Sequence, residues 1–421
     1  MSSEWRRYRL GEVGTLVGGA TPSTTVPEYW NGDIEWTTSR LLGKTVTLHK
    51  GERRVTRHGL DNSSSTLVPP GNLLVGTRVG VGKVSVTGVP IAISQDLTGI
   101  LVDESRFDAR YLAFYLKTSW VQADLVQRAR GVTIKGVPRE DLATIEVAAP
   151  PLAVQRRIAA ILDQAAERVV TEDRLVATTR ELKQAAMRQL FARGLEGEER
   201  KDTVIGAVPR TWEVVELGTL GQIGNGSTPK RTNPQYWTSG AIPWLTSAKV
   251  YDRVITKANE FVTSLAVSEC HLPTVAPGSL LIAITGQGRT LGNVAISAIE
   301  TTVSQHLAYV TIKQPRVRAN FLRHYLGSRY EFLRSLGQAG GSTKGALTCA
   351  GLKAISVPIP PMSEQTAIEH VLDAIDQSLL SHERRETLLR ALFDTLLNDL
   401  MAGRLRVPDI LTGAERKGSV A

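Results

Sequence analysis

The segment PPLAVQRRIAAILD, residues 150–163, has a counterpart in PPMSEQTAIEHVLD, residues 360–373. Pro-Pro, Gln, Ile and Leu-Asp recur in the same order, 210 positions apart. Each Pro pair ends what precedes it, because proline offers no N–H to a β-ladder. No further Pro occurs until Pro209 in the first case and Pro408 in the second. Inside these Pro-free stretches, Val154, Ile158, Ile161, Ala165, Val169 and Val176 fall largely three or four apart. Ile368, Val371, Ile375, Leu379, Leu389 and Phe393 do the same. That spacing predicts two amphipathic helices of about 40 residues, each on the order of 60 Å long at about 1.5 Å per residue.

Outward from these segments the whole chain repeats. Trp5 with Leu10-Gly11 returns as Trp212 with Leu217-Gly218, and Thr21-Pro22 as Thr228-Pro229. Pro70-Gly71 returns as Pro277-Gly278, and Ser94-Gln95 as Ser304-Gln305. Offsets between 207 and 210 mark two copies of one domain, since solenoid units are only about 20–50 residues long. Before each long helix lie short β-rich runs broken by Gly and Pro, such as Leu73–Val75, Ile91–Ser94 and Leu280–Thr285, then one short helix. The chain therefore reads as an α+β protein of two duplicated globular domains separated by two long helices. The expected boundaries are a first globular domain over 1–150 and a helix over 151–195. A second domain over 196–360, a helix over 361–405 and a tail over 406–421 follow.

A single apolar stripe on so long a helix needs a partner, and the second copy supplies it as an antiparallel coiled coil. Both stripes falter at equivalent places, Glu172 and His382. An axis there would set Leu182 opposite Leu372, Leu175 opposite Leu379, Ile158 opposite Leu396 and Leu162 opposite Leu392.

Composition narrows the function. The 421 residues carry 50 Lys+Arg against 41 Asp+Glu, a net charge of +9. Residues 1–150 hold 18 basic and 15 acidic groups, and residues 201–360 hold 16 and 8, so the excess lies in the globular parts. That distribution points to a polyanion facing the globular domains and protein facing the helices. No apolar run is long enough to span a bilayer, and Met1–Leu10 does not read as a secretory signal, so a cytoplasmic protein without membrane contact is expected. Cys270 and Cys349 form no ligand pattern, and the seven His lack metal-binding spacing. The run Thr77–Val84 misses a Walker loop at both ends, its counterpart Gly288–Val294 lacks the lysine, and no Gly-x-Ser-x-Gly elbow occurs. No catalytic residue and no metal site are expected.

The order of globular domain, long helix, globular domain, long helix resembles the specificity subunit of type I restriction-modification systems. The resemblance rests on several ordered pieces: Ile205–Trp212, the Thr-Pro…Tyr-Trp…Ile-x-Trp series of each copy, and the Pro-Pro…Gln…Ile…Leu-Asp helix starts. The helix exits Leu190–Gly194 and Leu400–Leu405 belong with them. It implies a non-catalytic DNA-binding chain whose two target recognition domains each read half of a split, asymmetric site in double-stranded DNA. The helices would set the gap and dock two methyltransferase subunits. Those subunits, not this chain, would bind S-adenosylmethionine and methylate adenine. Endonuclease/translocase subunits would use ATP and Mg. The alternatives are the specificity part of a type IIB-like enzyme and, in another class, a coiled-coil scaffold with protein- or glycan-binding heads.

DNA contacts call for Lys/Arg and small polar groups on Gly-rich loops. In the first domain the candidates are Thr21, Thr24, Ser39, Arg40, Lys44, Arg78, Lys83, Arg130 and Lys135. In the second they are Lys230, Arg231, Ser247, Lys249, Gln287, Arg289 and Lys344. Trp30, Trp36, Trp237 and Trp244 read as core, because domains with different targets would not need identical base-stacking groups.

Overall fold

The structure, a computed structural model, describes residues 5–131, 136–286, 289–338 and 346–406. The chain divides into two compact units: Met1–Arg174 with Glu383–Ala421, and Leu175–His382. Each unit therefore holds one globular domain plus part of both long helices, a division that contiguous domain boundaries do not express.

In the first unit a five-stranded sheet runs in the spatial order Gly14–Gly18, Leu97–Val102, Leu73–Gly76, Val84–Thr87, Thr47–Leu48. Its last pair is parallel and the others antiparallel. Leu73–Gly76 and Val84–Thr87 are buried along their whole length; the first is an unbroken apolar run, while the second alternates Val with Ser85 and Thr87, whose hydroxyls donate to the carbonyls of Thr45 and Pro69. A second sheet orders Arg53–Val55, Trp30–Thr37, Ile91–Ile93 and Thr66–Val68. The second unit repeats the five-stranded sheet with Gly221–Asn225, Leu307–Ile312, Leu280–Ala283, Val294–Ser297 and Val254–Ile255. Its smaller sheet has three strands, Glu260–Val262, Ile242–Leu245 and Thr302–Val303; where the first unit has a fourth, only the bridge between Val275 and Thr301 forms.

The recurring Pro-Pro…Gln pattern has a structural reason. A two-stranded ribbon, Arg6–Arg9 with Glu146–Ala149, brings the start of the first domain to its end; Glu213–Glu216 with Ser356–Ile359 does so in the second. The Pro pair follows, and the long helix begins. Gln155, 1% exposed, donates from Nε2 to the carbonyls of Arg106 and Pro150 and accepts at Oε1 from Asp108 N. Gln365 repeats all three bonds with Arg316, Pro360 and Arg318. A buried amide satisfied in this way clamps the helix start to the loop before the short helix.

The long helices are Leu152–Arg193 and Met362–Met401, of 42 and 40 residues. They run antiparallel within each unit. In the first, Ile158 and Leu162 share a core with Leu397, Leu400 and Met401, while Asp173 takes the Arg390 guanidinium at 2.7 Å. In the second, Leu372 is buried with Met187 and Leu190 packed against the same core, and Lys183 Nζ reaches Asp376 at 2.6 Å.

The expected register is displaced. Leu182 is 56% exposed and Leu392 53%, and Leu175 is exposed as well, so these three are not apolar seam residues. Leu372 packs with residues about one turn beyond Leu182, and Leu162 shares its core with Leu396 and Leu397 rather than with Leu392. Ile158 and Leu396 both stay in one core, whereas in the other three expected pairs Leu162, Leu372 and Leu379 are buried and their expected partners are exposed. Leucines spaced three or four apart satisfy the stripe equally well after a slip of about one turn, so spacing alone does not fix the register. Glu172 is buried beside Arg385, with 3.8 Å between the charged atoms, and so belongs to an ion pair within the first unit.

Candidate nucleic-acid interface

In each domain the turn after the strand that joins the smaller sheet by parallel pairing gathers the polar loops. In the first it is Ser94-Gln95-Asp96, between Ile91–Ile93 and Leu97–Val102. Gln95 Oε1 accepts from Thr21 Oγ1, Ser94 N donates to Thr37 O at 3.0 Å, and Asp96 O accepts from Thr77 N at 2.8 Å. Val137 N then donates to Thr77 O at 2.7 Å, drawing in the loop before the last strand. Three polar loops, which begin near residues 19, 37 and 76, and the segment Gly136-Val137 therefore converge on one edge.

The second domain builds the same arrangement. Thr228 Oγ1 donates to Gln305 Oε1, and Ser304 N to Leu245 O at 2.9 Å. Ile284 N donates to His306 O at 3.0 Å, and Leu347 N to Ile284 O at 2.8 Å. One glycine pair makes the threonine bond possible. A Cβ on Gly19 would lie 2.2 Å from Ile93 O, and one on its counterpart Gly226 1.6 Å from Val303 O. Only glycine lets the Thr-Pro loop lie down on the strand.

The sequence candidates separate into three groups. Thr24, Arg40, Arg78, Lys83 and Lys230 are exposed on these loops, and the four cations among them form no ion pair with a described residue. Arg289 is exposed, with its carbonyl held by Tyr330 Oη at 2.8 Å. Thr21 is on the loop edge, but its hydroxyl is committed to Gln95.

Other candidates are already engaged. Ser39 is 2% exposed, with Oγ 3.4 Å from Asp96 Oδ2, so it supports the turn from beneath instead of facing solvent. Arg130 pairs with Asp141 at 2.9 Å, and Lys249 pairs with Asp252 three residues on. Arg231 pairs with Glu260 and lies over the rings of Trp237 and Trp244, 4.0 and 4.8 Å from their centroids. Lys44 is exposed at the rim of a groove of about 1010 Å³ that runs toward the long helices and holds both acidic and basic side chains, among them Asp163, Asp394, Arg110 and Arg390. Ser247 is half-buried in a 3₁₀ turn. Lys135, Gln287 and Lys344 lie outside the described residues.

Sequence reasoning treated Ser94-Gln95 and Ser304-Gln305 only as marks of the repeat. They are instead the hub of each loop cluster. The signal was there: an exposed glutamine kept at the same turn of both copies, with its neighbour changed from Asp96 to His306. The tryptophans do form core. Trp30 packs edge-on against Trp36, and Trp237 against Trp244, each pair with centroids 5.3 Å apart.

A second polar cluster lies on the helix side of the second unit. Asp376 accepts from Lys183 at 2.6 Å and from Arg323 at 3.3 Å, and Arg253 stands 3.3 Å away. Asp373 takes Arg323 at 2.9 Å and His324 Nε2 at 2.8 Å. Ligand atoms of His324, Asp373 and Asp376 lie within 4.8 Å of one another, a spacing that a cation could use. Three cationic side chains already occupy those oxygens, so the arrangement is an ion-pair network. Burial pushes the His324 imidazole below its usual range, outweighing Asp373. Burial pushes Asp376 up, but Lys183, Arg253 and Arg323 together hold it below the usual carboxylate range.

Comparison with known proteins agrees with this geometry. The family described as type I restriction modification DNA specificity domain matches residues 2–175 and 209–390. The MjaIX specificity subunit of a type I restriction enzyme from Methanocaldococcus jannaschii is 22% identical over 414 residues, covering 97% of this chain and 95% of its own. The MjaVIII specificity subunit from the same organism is 21% identical and covers 97% and 94%. Among solved structures, the S subunit of a type I restriction-modification system from M. genitalium superposes with a TM-score of 0.64 at 17% identity. That likeness covers 94% of this chain and 96% of that one.

Proposed function

We propose, because the chain belongs to the family of type I restriction-modification DNA specificity domains, that it is the non-catalytic DNA-reading subunit of such a complex and that each globular domain reads one half of a split, asymmetric duplex site. The observation that carries this reading is the loop cluster built twice on the Ser-Gln turn, with exposed cations at its edges. Arg40, Arg78, Lys83 and Lys230, exposed and without an ion pair among the described residues, suit phosphate contacts, which hold a reader in register, while small polar groups and backbone on Gly-rich loops approach base edges.

The helices set the distance between the half-sites and dock two methyltransferase subunits. Supporting the docking role, Leu175, Leu182, Val371, Leu388 and Leu392 are large apolar side chains exposed along the two helices, a pattern that suits a protein partner. The partner methyltransferase binds S-adenosylmethionine and methylates adenine; endonuclease/translocase subunits with ATP and Mg complete restriction. Among the described residues no helix is long and apolar enough to cross a membrane.

The test is to express this chain with its methyltransferase partner in a host lacking both and to map methylated adenines. A new bipartite motif that needs both proteins is the expected result. An assembled complex that methylates no split motif would overturn the reading.

A further inference from the structure

The two loop clusters share one frame, and they differ at its centre. Ser94-Gln95-Asp96-Leu97 and Ser304-Gln305-His306-Leu307 occupy the same turn, 210 residues apart. In both, a threonine hydroxyl fixes the glutamine, and the backbone carbonyl of the third residue holds the neighbouring loop. The backbone around position 96 or 306 is thus pinned from several sides in both domains, while its side chain stands where the loops meet. The residue after the bonded loop position differs too: Arg78 follows Thr77, and Thr285 follows Ile284.

On the reading that these loops face DNA, we infer that Asp96 and His306 are specificity-determining residues, each selecting a base of its own half-site with Arg78 or Thr285 beside it. Asp96 has only acceptors to offer. One oxygen lies at the long distance of 3.4 Å from buried Ser39, which leaves lone pairs of the carboxylate for a ligand. An acceptor of this kind matches an exocyclic amine in the major groove, and aspartate accepts from cytosine N4. Arg78 is exposed and forms no ion pair with a described residue, and its fork matches guanine O6 and N7. Together they fit a C·G pair, whose major-groove edge shows the amine beside those two acceptors.

His306 offers different chemistry. Its Nδ1 is bonded with Thr285 Oγ1, and its Nε2 stands 3.2 Å from Gln305 Nε2. The Gln305 amide nitrogen donates, so the ring accepts at Nε2 and donates from Nδ1 to Thr285. A base edge would take the place of the Gln305 contact, and a ring that can also donate does not share the acceptor-only preference of Asp96. Two domains on one frame would then read different bases because the central side chain differs.

The test uses the full chain assembled with its methyltransferase partner, selecting bound duplexes from a randomised pool. The wild-type complex must first enrich a bipartite motif; if it enriches none, the DNA-reading proposal itself fails. Asp96→Asn keeps size and shape but adds donors. It should relax or switch one base position of one half-site, with a preference change of roughly ten-fold or more, leaving the other half-site intact. His306→Asp should in turn create a preference for cytosine at one position of the other half-site, and it answers the question if the first variant does not assemble. An unchanged motif, or equally weakened binding to all sequences, would overturn the inference, since either result makes these side chains loop supports.

Discussion

The short helices Ala109–Leu116 and Ala319–Ser328 occupy equivalent places, yet they meet the long helices in opposite ways. In the first unit Phe114 is fully buried, with Phe393 6.2 Å from it between ring centroids and Val46 against the same core. In the second the residues 210 further on are His324 for Phe114 and Arg323 for Ala113. Asp376 stands for Ala166, Lys183 is the counterpart of Phe393, and Arg253 that of Val46. One interface is apolar apart from the Arg110–Asp163 pair at its edge, and the other is a buried ion network with His324 2%, Arg323 5% and Asp376 5% exposed. The same backbone frame accepts both because the network supplies partners for its own charges: three cations around two aspartates.

The difference predicts unequal responses to substitution. Removing one anion from the network should have the largest effect. Asp376→Ala takes a shared carboxylate away from Lys183, Arg253 and Arg323 in a buried place, and breaking a buried pair costs about 3–5 kcal/mol. Chemical denaturation should show the second unit unfolding earlier, and a loss below about 1 kcal/mol would mean that water already screens the cluster.

Replacing the whole network should do less harm than breaking it. Writing the first unit's residues into the second, as Lys183→Phe, Arg253→Val, Asn320→Arg, Arg323→Ala, His324→Phe and Asp376→Ala, gives Asp373 the cation that Arg110 gives Asp163 and should be neutral or stabilising by about 1–4 kcal/mol. A six-fold variant less stable than Asp376→Ala alone would show that the two interfaces are not interchangeable.

Acid should separate the two units by the smallest margin. Asp163 and Asp373 are equivalents that titrate in opposite senses. Burial holds Asp163 above the usual carboxylate range, with Arg110 only partly offsetting it. Burial also pushes Asp373 up, but bonds from His324 and Asn320 with the Arg323 charge carry it below that range. A raised carboxyl gives stability that is present below its unfolded value, about 3.9, and lost as pH rises through the folded one. Lowered groups give stability that is present above their unfolded values and lost as pH falls, from about 6.5 for His324 and from about 3.9 for Asp373 and Asp376. Hydrogen exchange on acidification from neutral pH should therefore show protection falling in the second unit before the first. The reverse order would contradict the assigned directions.

Much of this fold was legible in the sequence, and physical reasons separate what was from what was not. The Pro-Pro…Gln helix starts could be read because few side chains can do what the glutamine does there. Gln155 and Gln365 satisfy three buried backbone groups apiece. The tryptophan pairs could be read because identical large residues recurred where targets would differ. The helix register was hidden, since leucines three or four apart look alike after a slip of one turn. The ion network was hidden as well. Arg323, His324 and Asp376 are distant along the chain from Lys183 and Arg253, and by type they read as surface residues. In the loops, charge alone could not tell Arg78, which forms no ion pair with a described residue, from Arg231, which is tied to Glu260 and two tryptophans.

The central claim is that the two globular domains are independent readers. Replacing residues 1–150 with the first domain of another family member, in the assembled methyltransferase, and mapping methylated adenines tests it most directly. The account predicts that one half of the bipartite motif changes to that of the donor while the other half and the gap remain. A motif in which both halves change together would contradict it.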